Sequence, residues 1–365
     1  MSCSISRYFS KQAWRSLITQ GGINYCIVLT CGDKNRVTTM KKDSVRETLQ
    51  LLRKLQSEPH ESGYSGYAEY YPGSEDSCII LTAPHGGNIK PDVIPDRCKT
   101  CCNNSVPGCK FGQSKYSVSL VRDTFTLEMA ITLRSELSAM LGERPHLVIC
   151  NLNRRKLDVN RDLDNGAQHN PHAERAWRDY HAFIKLARGR VARNCGRGVI
   201  FDIHGQSHPE KLVELGYALS SDQLHSIPHP EHSSIRCLCH CSKYRFENIL
   251  RGPQSLGARL NMEGFISVPS PLHPTPPAKY YSGGYTVQEW GSSRCSTVDA
   301  IQLELPYHVR EAYKRTGVVI ASVLADFITD MYILNTCYLN MRQSQVSRRC
   351  FSQLFWDFVE RLLYI

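Results

Sequence analysis

The sequence SCIILTAPHGG, residues 77–87, joins a short apolar run to an abrupt turn. The run is apolar on both alternating faces, which indicates a strand buried on both sides, as in parallel sheets. Two glycines let the backbone turn sharply directly after His85. The carboxyl ends of such strands form the edge where open α/β sheets bind ligands. A single histidine in this place is often structural, so a functional interpretation requires partners from elsewhere in the chain.

A second strand-like run, VIFDIHG at residues 199–205, also ends in a histidine, His204. Two imidazoles at one sheet edge suit zinc, which accepts neutral nitrogen ligands and keeps a coordination position open for water. Asp202 precedes His204 by two residues and faces the same side of the strand, so we expect it to orient an imidazole. The alternative is that both histidines are buried structural residues.

Basic residues crowd one loop after the predicted strand His146–Cys150. Arg154, Arg155 and Arg161 lie there with Asn160. Guanidinium groups bind carboxylates bidentately and stabilise oxyanions, so the loop is a candidate substrate-binding element. A solvated basic loop is the alternative.

Glu304 lies within the apolar run IQLEL, residues 301–305. A carboxylate in a buried strand is costly unless it is paired or functional. Beside a metal-bound water, a glutamate with a raised pKa is suited to act first as general base and then as general acid. An internal salt bridge is the alternative.

Alternating strands and helices predict an α/β fold with a mostly parallel mixed sheet flanked by helices. We predict an N-terminal extension over residues 1–60, a catalytic domain over 61–335 and a helical tail over 336–365. The predicted strands are 25–31, a hairpin within 67–83, 146–150, 199–205, 285–290 and 300–305. The predicted helices are 44–55, 123–141, 173–192, 246–262 and 310–334.

The composition is that of a globular protein: 365 residues, 41% hydrophobic, with a formal net charge of +10. This modest excess favours small anionic or acidic substrates. No motif for nucleic-acid recognition is present, so we expect no nucleic-acid partner. We also expect no signal peptide, no membrane span and a cytoplasmic location, with organelle targeting through Arg7, Lys11 and Arg15 as an alternative. The oligomeric state is not predicted.

The chain has sixteen cysteines, for which we expect mostly free thiols. One cluster comprises Cys98, Cys101, Cys102 and Cys109, and a second comprises Cys237, Cys239 and Cys241. The first cluster is compatible with surface thiols, a structural zinc site or a disulfide-tied loop. Its spacing matches no standard zinc motif, which favours surface thiols.

Five short motifs follow one another between residues 70 and 335: PHGG at 84–87, NRRKLDVNRD at 153–162, DIHG at 202–205, SGGYT at 282–286 and QLEL at 302–305. The ordered set resembles the N-formylglutamate amidohydrolase family, which belongs with the zinc carboxypeptidase-like hydrolases. The resemblance implies a zinc carboxypeptidase-like (phosphorylase/hydrolase-like) fold and Zn²⁺ as the cofactor.

The resemblance also implies roles for individual residues. These are zinc ligation by His85 and His204, acid–base catalysis by Glu304, polarisation of the scissile carbonyl by Arg155, binding of a substrate carboxylate by Asn160 and Arg161, and a substrate loop containing Gly284 and Tyr285. The family has an acidic zinc ligand shortly after the first histidine, but this chain has Asn-Ile-Lys at 88–90. Asp92 is therefore our candidate for the third ligand, with Asp96 the next acid along the chain.

The leading hypothesis is a zinc-dependent amidohydrolase that cleaves a small acylated amino acid or a related carboxylate-bearing substrate. A metallocarboxypeptidase-like peptidase shares this chemistry and differs in the length of its pocket. A catalytically inactive relative that binds a carboxylate through Asn160 and Arg161 is the third hypothesis, motivated by the missing early acid.

Overall fold

The structure is a computed structural model that describes residues 42–98, 118–277 and 279–333. The strands of this part are β1 Glu61–Ser62, β2 Ala68–Tyr71, β3 Ile79–Ala83, β4 His146–Cys150, β5 Gly198–Gln206, β6 Val213–Gly216, β7 Ser267–Val268 and β8 Val298–Pro306. The helices are α1 Lys42–Gln56, α2 Thr126–Leu141, α3 Leu163–Ala167, α4 Pro171–Asn194, α5 Ser221–His225, α6 Arg236–Cys241, α7 Phe246–Leu250, α8 Leu256–Met262, α9 Tyr285–Trp290, α10 Tyr307–Glu311 and α11 Tyr313–Ile328.

All eight described strands form one mixed sheet in the order β1-β2-β4-β3-β5-β8-β6-β7. The four inner strands β4, β3, β5 and β8 run parallel. Strand β1 pairs antiparallel to β2, β2 pairs antiparallel to β4, and β6 pairs antiparallel to β8 and parallel to β7. Helices α2 and α4 pack on the sheet, and α11 packs against α2. The predicted α/β class, a mostly parallel mixed sheet flanked by helices, is confirmed.

The strands that carry the motifs lie at the centre of the sheet, where both faces are covered. All five residues of β3 and all nine residues of β8 are buried. Burying each large aliphatic side chain contributes roughly 1.5–3 kcal/mol relative to leaving it in water. The parallel arrangement brings the carboxyl ends of β3, β4, β5 and β8 to one edge of the sheet, where the PHGG and DIHG motifs lie.

The predicted hairpin within residues 67–83 is wrong. Strands β2 and β3 do not pair, because β4 lies between them, antiparallel to β2 and parallel to β3. The connection passes the start of β4, where the backbone N–H of Ser74 donates to the carbonyl of Arg144 and that of Gly73 donates to Nδ1 of His146. Turn residues between two strands predict a reversal of direction, but they do not show which strands pair.

Three other local predictions change. The segment 285–290 is helix α9 rather than a strand, and it begins after Gly284. The helix predicted over 123–141 starts at Thr126, and the one predicted over 246–262 is divided into α7 and α8. The other predicted elements within the described residues lie close to their predicted places, and α2 ends at Gly142 in the left-handed conformation that favours glycine. The sequence did not predict the short elements β1, β6, β7, α3, α5 and α6.

Residues Tyr313–Ile333 form the one stretch of the described chain that is long and apolar enough to cross a membrane. The structure buries 61% of its most apolar window inside the fold, against α2 and α8. This agrees with the prediction of a buried helix there.

Helix α1 lies within the predicted N-terminal extension, and its Leu52 and Leu55 are buried in the core. The domain boundaries stay predictions. The strand predicted at 25–31 and the helical tail after 335 fall outside the described residues.

Candidate metal centre

Three chain segments converge at the carboxyl edge of the sheet. His85 follows β3, His204 lies near the end of β5, and Asp123 lies three residues before α2. The backbone N–H of Asp123 donates to the carbonyl of His85, and the N–H of Gly205 donates to the Asp123 carboxylate. These bonds fix the acid against both strand ends, and all three side chains are buried.

Their ligating atoms form a nearly equilateral triangle. The two Nδ1 atoms of His85 and His204 lie 3.2 Å apart, and each lies 3.3 Å from Oδ2 of Asp123. Ligands held about 2.1 Å from a tetrahedral zinc ion are separated by about 3.4 Å. The spacing therefore fits three ligands of one zinc ion.

The outer nitrogens of the two imidazoles are occupied by carboxylates. Nε2 of His85 donates to Asp158 over 2.7 Å, and Nε2 of His204 donates to Asp202 over 2.9 Å. If both rings are neutral, each has an unprotonated Nδ1 that faces the Asp123 carboxylate. Two imidazole nitrogens and one carboxylate oxygen, all hydrogen-bond acceptors, then face one point. Such a set requires a proton or a cation between its members, and carboxylate–histidine pairs of this kind hold zinc ligands in other proteins. Asp202 thus contacts His204, as expected of a residue that orients this ring.

Carboxylates and guanidinium groups of the described residues surround the triangle. The acids are Asp123, Asp158, Asp202, Glu214 and Glu304, and the guanidinium groups that interact with them include those of Arg97, Arg154 and Arg310. Burial opposes a charge on His204, but Asp202 and Asp123 outweigh it and raise its pKa to about 10. The carboxylates therefore favour a positive charge at this point, either a proton on His204 or a metal ion.

Glu304 lies next to this triangle. It pairs with His204 in the register of β5 and β8, and its Oε1 lies 3.9 Å from Nδ1 of that histidine. Oε1 accepts a hydrogen bond from Gln302, whereas Oε2 is buried and has no hydrogen-bond partner. Burial raises the pKa of Glu304 to about 8. Its second oxygen is thus free for proton transfer.

Asp92, the third ligand proposed from the sequence, is exposed and stands outside the buried group. Asp123, 38 residues after His85, is the acid that the structure places beside both histidines. Asp123 does not cap α2, because the N-cap of this helix is Phe125 and no side chain caps it. The sequence offered one indication of Asp123: it is an acidic residue that follows a long loop and precedes a buried helix.

Arg155 also lies away from the group. Its side chain is 48% exposed and pairs with Asp96, whereas the neighbouring Arg154 turns inward. Nε of Arg154 donates to Asp158 over 3.0 Å, and its Nη1 lies 3.6 Å from Oδ1 of Asp123. The Asn153 side chain accepts the backbone N–H of Arg155 within this turn, and the two adjacent arginines point in different directions.

The four residues expected to bind substrate have different surroundings. Asn160 is buried, with Nδ2 3.1 Å from Nε2 of His204 and Oδ1 accepting the N–H of Thr286. The guanidinium of Arg161 donates to the carbonyl of Asn160. Gly284 packs on the Asn160 side chain, whereas the ring of Tyr285 packs on Trp177 and His181. Of the four, the structure brings Asn160 against a histidine of the triangle.

Tyr281 interacts electrostatically with Glu304, Glu214 and Asp123, and the sequence did not single it out. Burial, followed by the charge of Glu304, raises its pKa. Its ring stacks on His208 at 4.8 Å, and its backbone N–H donates to Glu214. Tyr281 is 47% exposed, so it is in contact with solvent as well as with this group.

Two observations concern the cysteine clusters. Cys98 is disulfide-bonded, which agrees with a disulfide-tied loop, and the rest of that cluster lies outside the described residues. Cys237, Cys239 and Cys241 are free thiols on α6, as expected.

No protein-family model matches the sequence, and no curated protein sequence matches it significantly. Three solved structures are similar in fold at 12% identity. N-formylglutamate amidohydrolase from Ralstonia eutropha JMP134 aligns with 69% of this chain and 94% of its own, with a TM-score of 0.43. A gene product of Agrobacterium tumefaciens aligns with 70% and 91%, at 0.38. A candidate metallopeptidase from Shewanella denitrificans OS217 aligns with 80% and 90%, at 0.33.

Proposed function

We propose that the protein is a zinc-dependent amidohydrolase that cleaves the amide of an N-acyl amino acid of the formyl type or of a related small carboxylate. One observation carries the proposal: three ligating atoms lie within 3.3 Å of one another, beside a glutamate with an unpartnered oxygen. The resemblance of the ordered motifs to the N-formylglutamate amidohydrolase family supports the substrate class.

His85, His204 and Asp123 would hold the zinc ion. When bound, zinc acts as a Lewis acid that lowers the pKa of a water molecule and polarises a carbonyl group. Glu304 accepts a proton from the attacking water through Oε2 and later donates it to the leaving amine. Its pKa of about 8 suits both steps, since the group changes protonation near neutral pH.

Arg154 is our candidate for stabilising the negative charge that develops on the substrate oxygen. Its bond to Asp158 fixes the guanidinium beside the triangle, and it lies close enough to Glu304 for their charges to interact. This is the role that the sequence assigned to Arg155.

The positions of Asp123 and Asn160 bear on the two alternative hypotheses, the inactive carboxylate-binding relative and the carboxypeptidase. The hypothesis of an inactive carboxylate-binding relative was motivated by a missing acidic ligand, and Asp123 offers a carboxylate oxygen at that place. Both hydrolase hypotheses use Asn160 to bind a substrate carboxylate, and this amide is already engaged by Thr286 and Gln302. The two hydrolases are therefore separated by their substrates rather than by Asn160.

The experiment combines metal analysis with hydrolysis. The purified protein should contain one zinc ion per chain and release free amine from N-formyl-glutamate or other N-acyl amino acids, with little cleavage of a peptide library assayed beside them. Glu304→Gln should keep the metal and lose about 10²–10⁴-fold in kcat, because general acid–base catalysis contributes that much. A protein without zinc, in which Glu304→Gln behaves like the wild type, would falsify the proposal.

A further inference from the structure

Gln302 is a buried amide on β8, two residues before Glu304 and on the same face of the strand. Its Nε2 donates to Oε1 of Glu304 over 2.9 Å. Its Oε1 accepts the backbone N–H of Gly284 over 2.7 Å. One side chain thus joins the proposed general base to the loop that precedes α9.

The loop containing Gly284 fixes the orientation of the Gln302 side-chain amide. The N–H of Gly284 can only donate, so it must meet the oxygen of Gln302, and Nδ2 of Asn160 approaches the same oxygen at 3.5 Å. The NH₂ group therefore turns towards Glu304. An amide rotated by 180° would place N–H against N–H on one side and oxygen against oxygen on the other.

This orientation makes the two oxygens of Glu304 unequal. Oε1 is held by the Gln302 amide, whereas Oε2 is buried and has no partner. A carboxylate with one oxygen fixed can rotate little about its last bond. Oε2 is thus kept for the reacting water instead of turning back into the sheet.

We propose that Gln302 is the positioning residue of Glu304 and couples this base to the loop containing Gly284. The inference rests on the proposed function, because it takes Glu304 as the group that transfers the proton. The hydrogen bonds of the Gln302 side chain go to Glu304, Gly284 and Asn160, so the proposed effect of Gln302 passes through Glu304.

The test is a double-mutant cycle with Gln302→Met, which keeps the length of the side chain and removes its amide. We expect kcat on the N-acyl amino acid to fall about 10- to 100-fold, with KM changed less than about threefold and zinc content unchanged, since a misplaced catalytic group costs about that much. In the Glu304→Gln background the same substitution should cause no further loss, because its effect passes through the base.

Gln288→Met is the matched control. Gln288 also braces the loop, by donating to the carbonyl of Gly283 over 2.8 Å, but it makes no contact with Glu304. Its substitution should leave kcat within about threefold of the wild type and should have the same effect in both backgrounds.

A crystal structure of Gln302→Met gives a second readout that needs no activity. The inference requires the Glu304 carboxyl to rotate or become disordered, and an unmoved carboxyl would overturn it. Equal losses from Gln302→Met with and without Glu304 would also overturn it, since they indicate a general structural role. If the wild type holds no zinc and hydrolyses nothing, the proposed function fails, while the crystal structure still decides the positioning role.

Discussion

At the scale of the residue, Asp123 is the member of the triangle that contacts both histidines through a single oxygen. Its replacement by alanine should remove one of three ligands and weaken zinc binding by more than about 100-fold, since losing even a residue that only orients a ligand costs 10- to 100-fold. Competition with a chromogenic chelator measures this affinity. Asp92→Ala is the matched control and should bind zinc like the wild type, and equal losses in the two variants would remove Asp123 from the ligand set.

The two histidines could be predicted from the sequence because each ends an apolar run and precedes glycine. Asp123 could not, because an acid just before a helix is usually a cap. Arg154 and Arg155 show the same limit, since residue type does not show which of two adjacent arginines turns inward. Arg154 turns inward to Asp158 and Asp123, whereas Arg155 pairs with the exposed Asp96.

At the scale of the element, the loop before α9 packs against Asn160 without space for a side chain. A Cβ on Gly284 would lie 2.2 Å from Nδ2 of Asn160, whose amide is already fixed by the Thr286 N–H. Gly284→Ala should therefore displace Asn160, reduce kcat/KM and destabilise the fold by about 1–3 kcal/mol. Steady-state kinetics and urea unfolding measure both effects.

Gly189→Ala is the control for that substitution. Gly189 lies within α4, where an added Cβ would approach only the flexible end of Arg193, at 3.3 Å. This change should stabilise the protein by up to about 1 kcal/mol, because alanine favours a helix more than glycine does. If Gly284→Ala proved as harmless, the close packing of the loop on Asn160 would have no energetic consequence.

The central elements could be predicted from sequence because their apolar patterns are long and clearly bounded. Strands β3, β4, β5 and β8 and helices α2 and α4 are of this kind. The pairing of β2 with β4 could not be predicted from the sequence, since it depends on contacts between segments about 80 residues apart. Helix α9 was mistaken for a strand because six residues are too few to show a helical period.

At the scale of the whole molecule, stability should fall in acid because of histidines that are buried in neutral form. Burial, followed by Arg190 and Arg134, lowers the pKa of His146 to about 4, and this side chain is only 2% exposed. The unfolded chain binds a proton there below about pH 6.5, whereas the folded chain does so only near pH 4. The folded state is therefore favoured less as the pH falls through that window, by about 3 kcal/mol between pH 7 and 4.

Urea unfolding of the wild type and His146→Gln from pH 7 to 4 measures this term. The variant should lose about 3 kcal/mol less over the range, since its residue 146 does not titrate. His181 makes the same pH-dependent contribution to the free energy of unfolding in both proteins, because burial lowers its pKa to about 3. Parallel pH curves for the two proteins would contradict the prediction.

The three ligating residues come from segments 38 and 81 residues apart, and this separation links metal binding to folding. An unfolded chain gathers no such set of donors, so a metal ion that binds here binds the native state alone. It then stabilises that state by RT ln(1 + [L]/Kd), which is about 2.7 kcal/mol at a free concentration one hundred times Kd. By that relation, the melting temperature of the protein becomes a measure of the free zinc around it, even when no substrate is known.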